Sequence, residues 1–193
     1  TKNGATATAI AADAINGSDT VTLGIALTTT GTTVGIKTTN NDTEAESNTV
    51  TVTGTGSITT GTGNNAYGIY NDGAYNTTTV SGSITTTGNL SIGIYNFGNN
   101  NETTVSGSIE TSAYGIVNQG HKNITTISGV ISTKSNYGLY IAGNDNISYL
   151  EGSIQNSGIW ADGIRINGNS NKTYISGEID IVSTDQVSVG VSQ

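Results

Sequence analysis

The chain has no proline, no cysteine and no methionine, and only one tryptophan, one phenylalanine and one histidine in 193 residues. Without cysteine there is no disulfide and no thiol-ligated metal. That absence also suits a protein exported unfolded, where an early disulfide would obstruct passage. Charge is scarce as well: 10% of residues are charged, against about 25% in an ordinary globular domain. Only six residues are Lys or Arg, too few to line a groove for phosphate, which excludes nucleic acid as a partner. An anionic membrane surface is disfavoured for the same reason. No apolar run has the length needed to cross a bilayer, so no direct membrane insertion is expected. No secretory leader is recognisable and Thr1 stands where a Met would begin, which makes a processed chain or an excised fragment the expectation.

The remaining vocabulary is narrow but ordered. Glycine accounts for 27 residues and the net charge is −8. A disordered chain would carry more charge and fewer Val and Ile, and here those two recur at fixed intervals. The phrase "TGSITTGTGNNAYGIYNDG" returns as "SGSITTTGNLSIGIYNFG", "SGSIETSAYGIVNQG", "SGVISTKSNYGLYIAG" and "EGSIQNSGIWADGIRING". Two anchors align the copies. One is the glycine of the Gly-Ile pair: Gly35, Gly68, Gly93, Gly115, Gly138, Gly163 and Gly190, with Ala9 before Ile10 as a degenerate earlier copy. The other is the isoleucine of "GSI": Ile58, Ile84, Ile109, Ile131, Ile154 and Ile179. The glycine steps run from 22 to 33 residues, and the second anchor advances with them.

Thr, Val, Ile and Tyr in period-two alternation between Gly and Asn mark strands rather than helices. Counting by twos from Val80 reaches Gly82 and Ile84, which places all three inward and Ser81 and Ser83 outward. The Val80 column continues through Val52, Val105, Ile127, Leu150 and Ile175. A third strand carries Ile36, Ile69, Ile94, Ile116, Leu139, Ile164 and Val191. The glycines that close it, Gly73, Gly98, Gly120, Gly143 and Gly168, fit a turn with positive φ. Such a pattern specifies an all-β chain: a right-handed parallel β-helix of about seven coils, three short strands per coil, stacked at about 4.8 Å. One domain spans 1–193, with degenerate coils over 1–47 and regular coils over 48–193. Loop insertions are expected between the second and third strands, where the ladder tolerates them. The N-terminal "ATATAIAADA" reads either as a short helix or as a third strand around Ile10.

Glycine-, Thr- and Asn-rich coils of this kind resemble the passenger domains of bacterial autotransporters and related β-solenoid surface adhesins. The resemblance covers nearly the whole chain and rests on repeat style. It implies an extracellular, cell-surface location. It also implies a mature or excised piece, since a complete autotransporter adds a signal peptide and a C-terminal membrane barrel.

Several columns are candidates for function. Tyr70, Tyr95 and Tyr140 form an outward column, shared with Lys37, Val117 and Arg165, and offer flat apolar area with polar tips. Trp160, Asp162 and Arg165 cluster in "GIWADGIRING", which holds the single Trp and the single Arg. Asn-x-Ser/Thr recurs at Asn76, Asn101, Asn123, Asn146 and Asn171, which admits N-glycosylation but reads more readily as turn chemistry. Asn71, Asn96 and Asn118 are placed inward as an amide ladder, giving way to Ile141 and Ile166. Thr51, Thr79, Thr104 and Thr126 form an outward column that ends at Tyr149 and Tyr174, too short a run for an ice-matching face. Glu151 and Glu178 are out of register, His121 is alone, and no acid pair shares a column, so no catalytic residue, cofactor or metal is expected. The function expected is an extracellular structural or adhesive element whose partner is a surface protein or glycan. A filament subunit stacking end to end on identical copies is the alternative, and a carbohydrate-active β-helix enzyme fragment the second.

Overall fold

The computed structural model describes residues 8–14, 18–158, 161–182 and 189–193. Nearly all of them are in strands or the short turns between strands; the one helical element is a 3₁₀ turn at Glu44–Glu46. The strands form three parallel sheets, of eight, seven and seven strands, in which each strand pairs with its counterpart one coil away. This is a parallel β-solenoid of about seven coils.

The columns read from the sequence are the observed register. Ile10, Ile36, Ile69, Ile94, Ile116, Leu139, Ile164 and Val191 pair in series. So do Ile58, Ile84, Ile109, Ile131, Ile154 and Ile179, with Leu27 as an earlier rung. The Val80 column gains Leu23 in the same way. Thr8–Ala14 is a strand, which settles the N-terminal alternative. Together these columns make one continuous apolar core. Ile175 and Val191 occupy inward columns on the last coil and are 45% and 42% exposed, because no further described strand covers them.

Corner geometry explains the glycines. The first and second strands are joined by two residues, as at 81–82 between Thr77–Val80 and Ser83–Thr86. A Cβ on Gly107 would overlap the carbonyl oxygen of Gly82 in the neighbouring coil. These corner glycines are therefore required by close approach of stacked backbones rather than by an unusual φ. The turn after the third strand is different. Gly98 has φ 142° and Asn100 has φ 56°, and the equivalent pairs follow in neighbouring coils. Here positive φ is the requirement, as expected. Length variation sits where it was expected: the second-to-third connection spans 87–91 in one coil and 112–113 in the next. The 3₁₀ turn lengthens the first coil at a second place, after Val34–Asn40.

Two amide ladders run through the stack. Asn71 Nδ2 donates to Asn96 Oδ1 at 2.7 Å, and Asn96 Nδ2 to Asn118 Oδ1 at 2.7 Å. Each amide also donates to a buried threonine hydroxyl, Thr78, Thr103 and Thr125 respectively. Where Ile141 and Ile166 replace the asparagine, the facing hydroxyls of Ser148 and Thr173 have no hydrogen-bond partner. The second ladder is made of the Asn-x-Ser/Thr asparagines. The backbone N–H of Asn76 donates to Asn101 Oδ1, that of Asn101 to Asn123 Oδ1, and that of Asn123 to Asn146 Oδ1, each at 2.8 Å.

Candidate functional site: a tyrosine face on the third-strand sheet

The strand Tyr67–Asp72 does not alternate strictly. Gly68 and Ile69 are both buried while Tyr67 and Tyr70 both stand half-exposed on the outer surface. The glycine allows this bend. A Cβ on Gly68 would overlap Ile84 Cγ2 across the core and come 2.6 Å from Gly93 O. Every coil with Gly-Ile therefore offers two outward positions, one on each side of the pair. Strict period-two counting sends the first of them inward, and so it overlooks Tyr67, Tyr114 and Tyr137.

Doubling the outward positions gathers seven aromatic rings on one face. Tyr70 stacks on Tyr95, with centroids 5.2 Å apart and planes 12° from parallel, and Tyr67 meets both edge-on at 5.7 and 5.6 Å. Phe97 lies 6.1 Å from Tyr95. In the later coils Tyr137 contacts Tyr114 at 5.7 Å and Tyr140 at 5.3 Å. Offset and edge contacts of this kind contribute about 0.5–1.5 kcal/mol per pair beyond area burial. Val117, on the same strand as Tyr114, interrupts the column between Tyr95 and Tyr140 and is 5% exposed although it occupies an outward position.

The face lies between paired charges. Lys37 Nζ is 2.9 Å from Asp72 Oδ2 and 5.2 Å from the centre of the Tyr70 ring, a cation–π arrangement at one end of the tyrosine column. At the other end Arg165 lies 3.8 Å from Asp162, which also accepts from the Ser192 hydroxyl at 2.6 Å. Burial, reinforced by Asp72 and the neighbouring phenols, pushes the Tyr70 phenol up to about 12. Tyr67, Tyr95 and Tyr114 are raised in the same direction, with burial the leading cause. All four phenols are thus neutral hydroxyls at ordinary pH.

The structure brings Tyr70 and Tyr95 together and leaves Tyr140 in the second group. Arg165 continues their column, paired with Tyr140 across the sheet. Trp160 lies outside the described residues. For the sequon asparagines the structure favours the turn role over glycosylation. Asn76, Asn101, Asn123 and Asn146 are at most 1% exposed. Asn101 Nδ2 donates to Gly73 O at 3.0 Å and Asn123 Nδ2 to Gly98 O at 3.1 Å. Asn171, half-buried, donates to Gly143 O at 2.8 Å. A glycan on the amide nitrogens of the four buried asparagines has no room in the folded coil. The same motif marks instead the rung that ties one coil to the next.

His121 belongs to a further row on the same turns. Its backbone N–H donates to Asn99 Oδ1 at 2.7 Å, its Nδ1 accepts from the Asn144 N–H at 3.0 Å, and Asn144 Oδ1 accepts from the Asn169 N–H at 2.8 Å. An imidazole nitrogen here replaces an amide oxygen. Glu178 pairs with Ser153 across the second-strand sheet, out of line with Glu151. Among the described residues no group of three or more His, Asp or Glu is placed to hold a metal ion. No family model, curated protein or solved structure matches this chain.

Proposed function

We propose that the chain is an extracellular structural and adhesive element, a stiff β-solenoid of a bacterial surface protein that presents its tyrosine face to a partner. The observation that carries this reading is the concentration of half-exposed rings on one sheet of the solenoid. The other two sheets direct mainly Thr, Ser and acidic side chains outward, with one stacked pair of rings, Tyr149 and Tyr174, on the first-strand sheet. Isolated exposed apolar residues are common, whereas two clusters of aromatic rings on one sheet of a chain this polar favour a contact surface. Tyrosine suits such a role because it supplies large area at low conformational cost. The rigid ladder beneath fixes the rings in advance, so little ordering is required on binding. Beads carrying the chain should be retained on bacterial or host cell surfaces, and Tyr70→Ala with Tyr95→Ala and Tyr140→Ala should release them. Retention unaffected by the triple substitution would remove the tyrosine face from the reading.

A further inference from the structure

The two tyrosine groups flank a shallow, open cleft, and the geometry points to a binding site there for an uncharged oligosaccharide. This deepens the adhesive reading and rests on it. The cleft has a volume of about 270 Å³, with Val117 on its floor, Tyr67 and Tyr95 on one side and Tyr114 and Tyr140 on the other. That volume is just below the range of about 300–1,000 Å³ usual for ligand sites and suits a single compact ring better than a folded peptide segment.

Two observations select the ligand class, and a third concerns the rim. The first is charge. No ionisable side chain other than tyrosine lines the cleft. The cations and acids at the ends of the column are paired with each other. A chain of net charge −8 repels a polyanion, and a cation would find no carboxylate inside. An uncharged ligand remains. The second is the pattern of polar groups. Tyr95 donates its phenol hydrogen to Gln119 Oε1. That bond fixes the amide and leaves Gln119 Nε2 as a donor at the edge of the cleft. Flat rings beside an oriented amide and phenol tips match a pyranose, which has an apolar C–H face and a rim of hydroxyls.

The third observation is backbone strain at the rim. Leu90 has φ 58° and is 46% exposed over the cleft. A bulky residue in the left-handed region is an outlier. The equivalent position one coil earlier, two residues before the outward ring, is Asn65 with φ 56°, a residue that tolerates this conformation. Leu90 has the less favourable backbone and gives the cleft an apolar lip. The conformation itself belongs to the turns, since Tyr75 and Lys122 adopt it elsewhere; what is particular to Leu90 is an apolar side chain placed over the cleft.

The test is titration of the folded chain with uncharged gluco-, manno- and galacto-oligosaccharides, followed by NMR of the Val117 methyls and the Gln119 side-chain amide. Heparin and a sialylated oligosaccharide serve as charged controls. At least one uncharged oligosaccharide should shift both signals saturably, with the charged controls inert. Val117→Phe, which fills the floor, and Gln119→Ala should each weaken binding at least about tenfold while the melting midpoint is kept. Leu90→Asn should weaken binding several-fold and raise the midpoint by about 2–4 °C. No shift with any uncharged oligosaccharide up to about 10 mM overturns the inference, as does binding that Val117→Phe and Gln119→Ala leave unchanged, or a preference for the charged controls. If sugars fail while tyrosine-dependent retention on cells persists, the inference falls and the adhesive reading stands with a protein partner. If both fail, both are wrong.

Discussion

Replacing Asn96 by Leu tests the inner amide ladder. Asn96 is fully buried. It accepts from Asn71 and donates to Thr103 and Asn118. Leucine is close in size but supplies none of these bonds. Three buried groups lose a partner: one N–H of Asn71, the Thr103 hydroxyl and Asn118 Oδ1. At about 1–3 kcal/mol each, the loss is on the order of 3–9 kcal/mol. Burial of the added apolar surface returns about 1.5–3 kcal/mol. The net cost expected is several kcal/mol, at about 2–4 °C of melting midpoint per kcal/mol. The informative partner is Ile141→Asn, in the next coil beyond the ladder. There the new amide meets Asn118 on one side and the orphaned Ser148 hydroxyl, so its cost should be small. Ile116→Asn, equally buried but in the apolar column, should cost several kcal/mol. Thermal unfolding followed by far-ultraviolet circular dichroism ranks the three. Equal midpoints for Ile141→Asn and Ile116→Asn would refute the idea that ladder position, rather than burial, decides the cost.

Other consequences are direct. Ile109→Asp puts an unpaired charge into a column that is 1% exposed and should cost several kcal/mol or prevent folding; an unchanged melting midpoint would invalidate the alignment of coils. His121→Asn restores an amide acceptor in a row that is otherwise asparagine and should leave the melting midpoint unchanged or raised, whereas His121→Ala leaves the Asn144 N–H without that acceptor and should lower it. The tyrosine face should also make stability fall in alkali. The fold raises the Tyr70 value to about 12, so the neutral phenol is favoured when folded. The contribution is complete below the ordinary phenol value near 10, and it is lost as pH rises through about 12. Tyrosinate absorbance measured beside the unfolding midpoint across that window checks both points, and Tyr70→Phe should flatten the dependence.

The sequence displays the core columns because each coil must present the same inward residue type to the same neighbour. A one-residue slip would reverse every side chain, so Ile84, Ile109 and Ile131 could hardly be placed elsewhere. The positive φ at Gly73 and Gly98 is readable for a similar reason, since the turn tolerates little else. The second tyrosine column is less visible. Strict alternation through Gly68 sends Tyr67 inward, whereas the bend that turns it out packs Gly68 so close to Ile84 Cγ2 that a Cβ would not fit. The symmetry of "YGIY" about Gly-Ile is the available signal. Leu90 lies in a variable connection and is not a turn-forming residue type. Its strained backbone can be seen only by comparison with Asn65 in the coil before. The sequon asparagines carried a true signal of repetition, but the motif also matches a modification site, and only their burial separates the two meanings.

The central claim is that one face of this solenoid makes contact with a partner and the others do not. The most direct measurement is force-resolved retention of chain-coated beads on cell surfaces for three proteins with matched melting midpoints. These are the native chain, the Tyr70→Ala, Tyr95→Ala, Tyr140→Ala variant, and a Tyr149→Ala, Tyr174→Ala variant. The last removes a stacked, exposed pair of rings from a different sheet. The account predicts that only the first variant releases the beads. Equal release by both variants, or by neither, would contradict it.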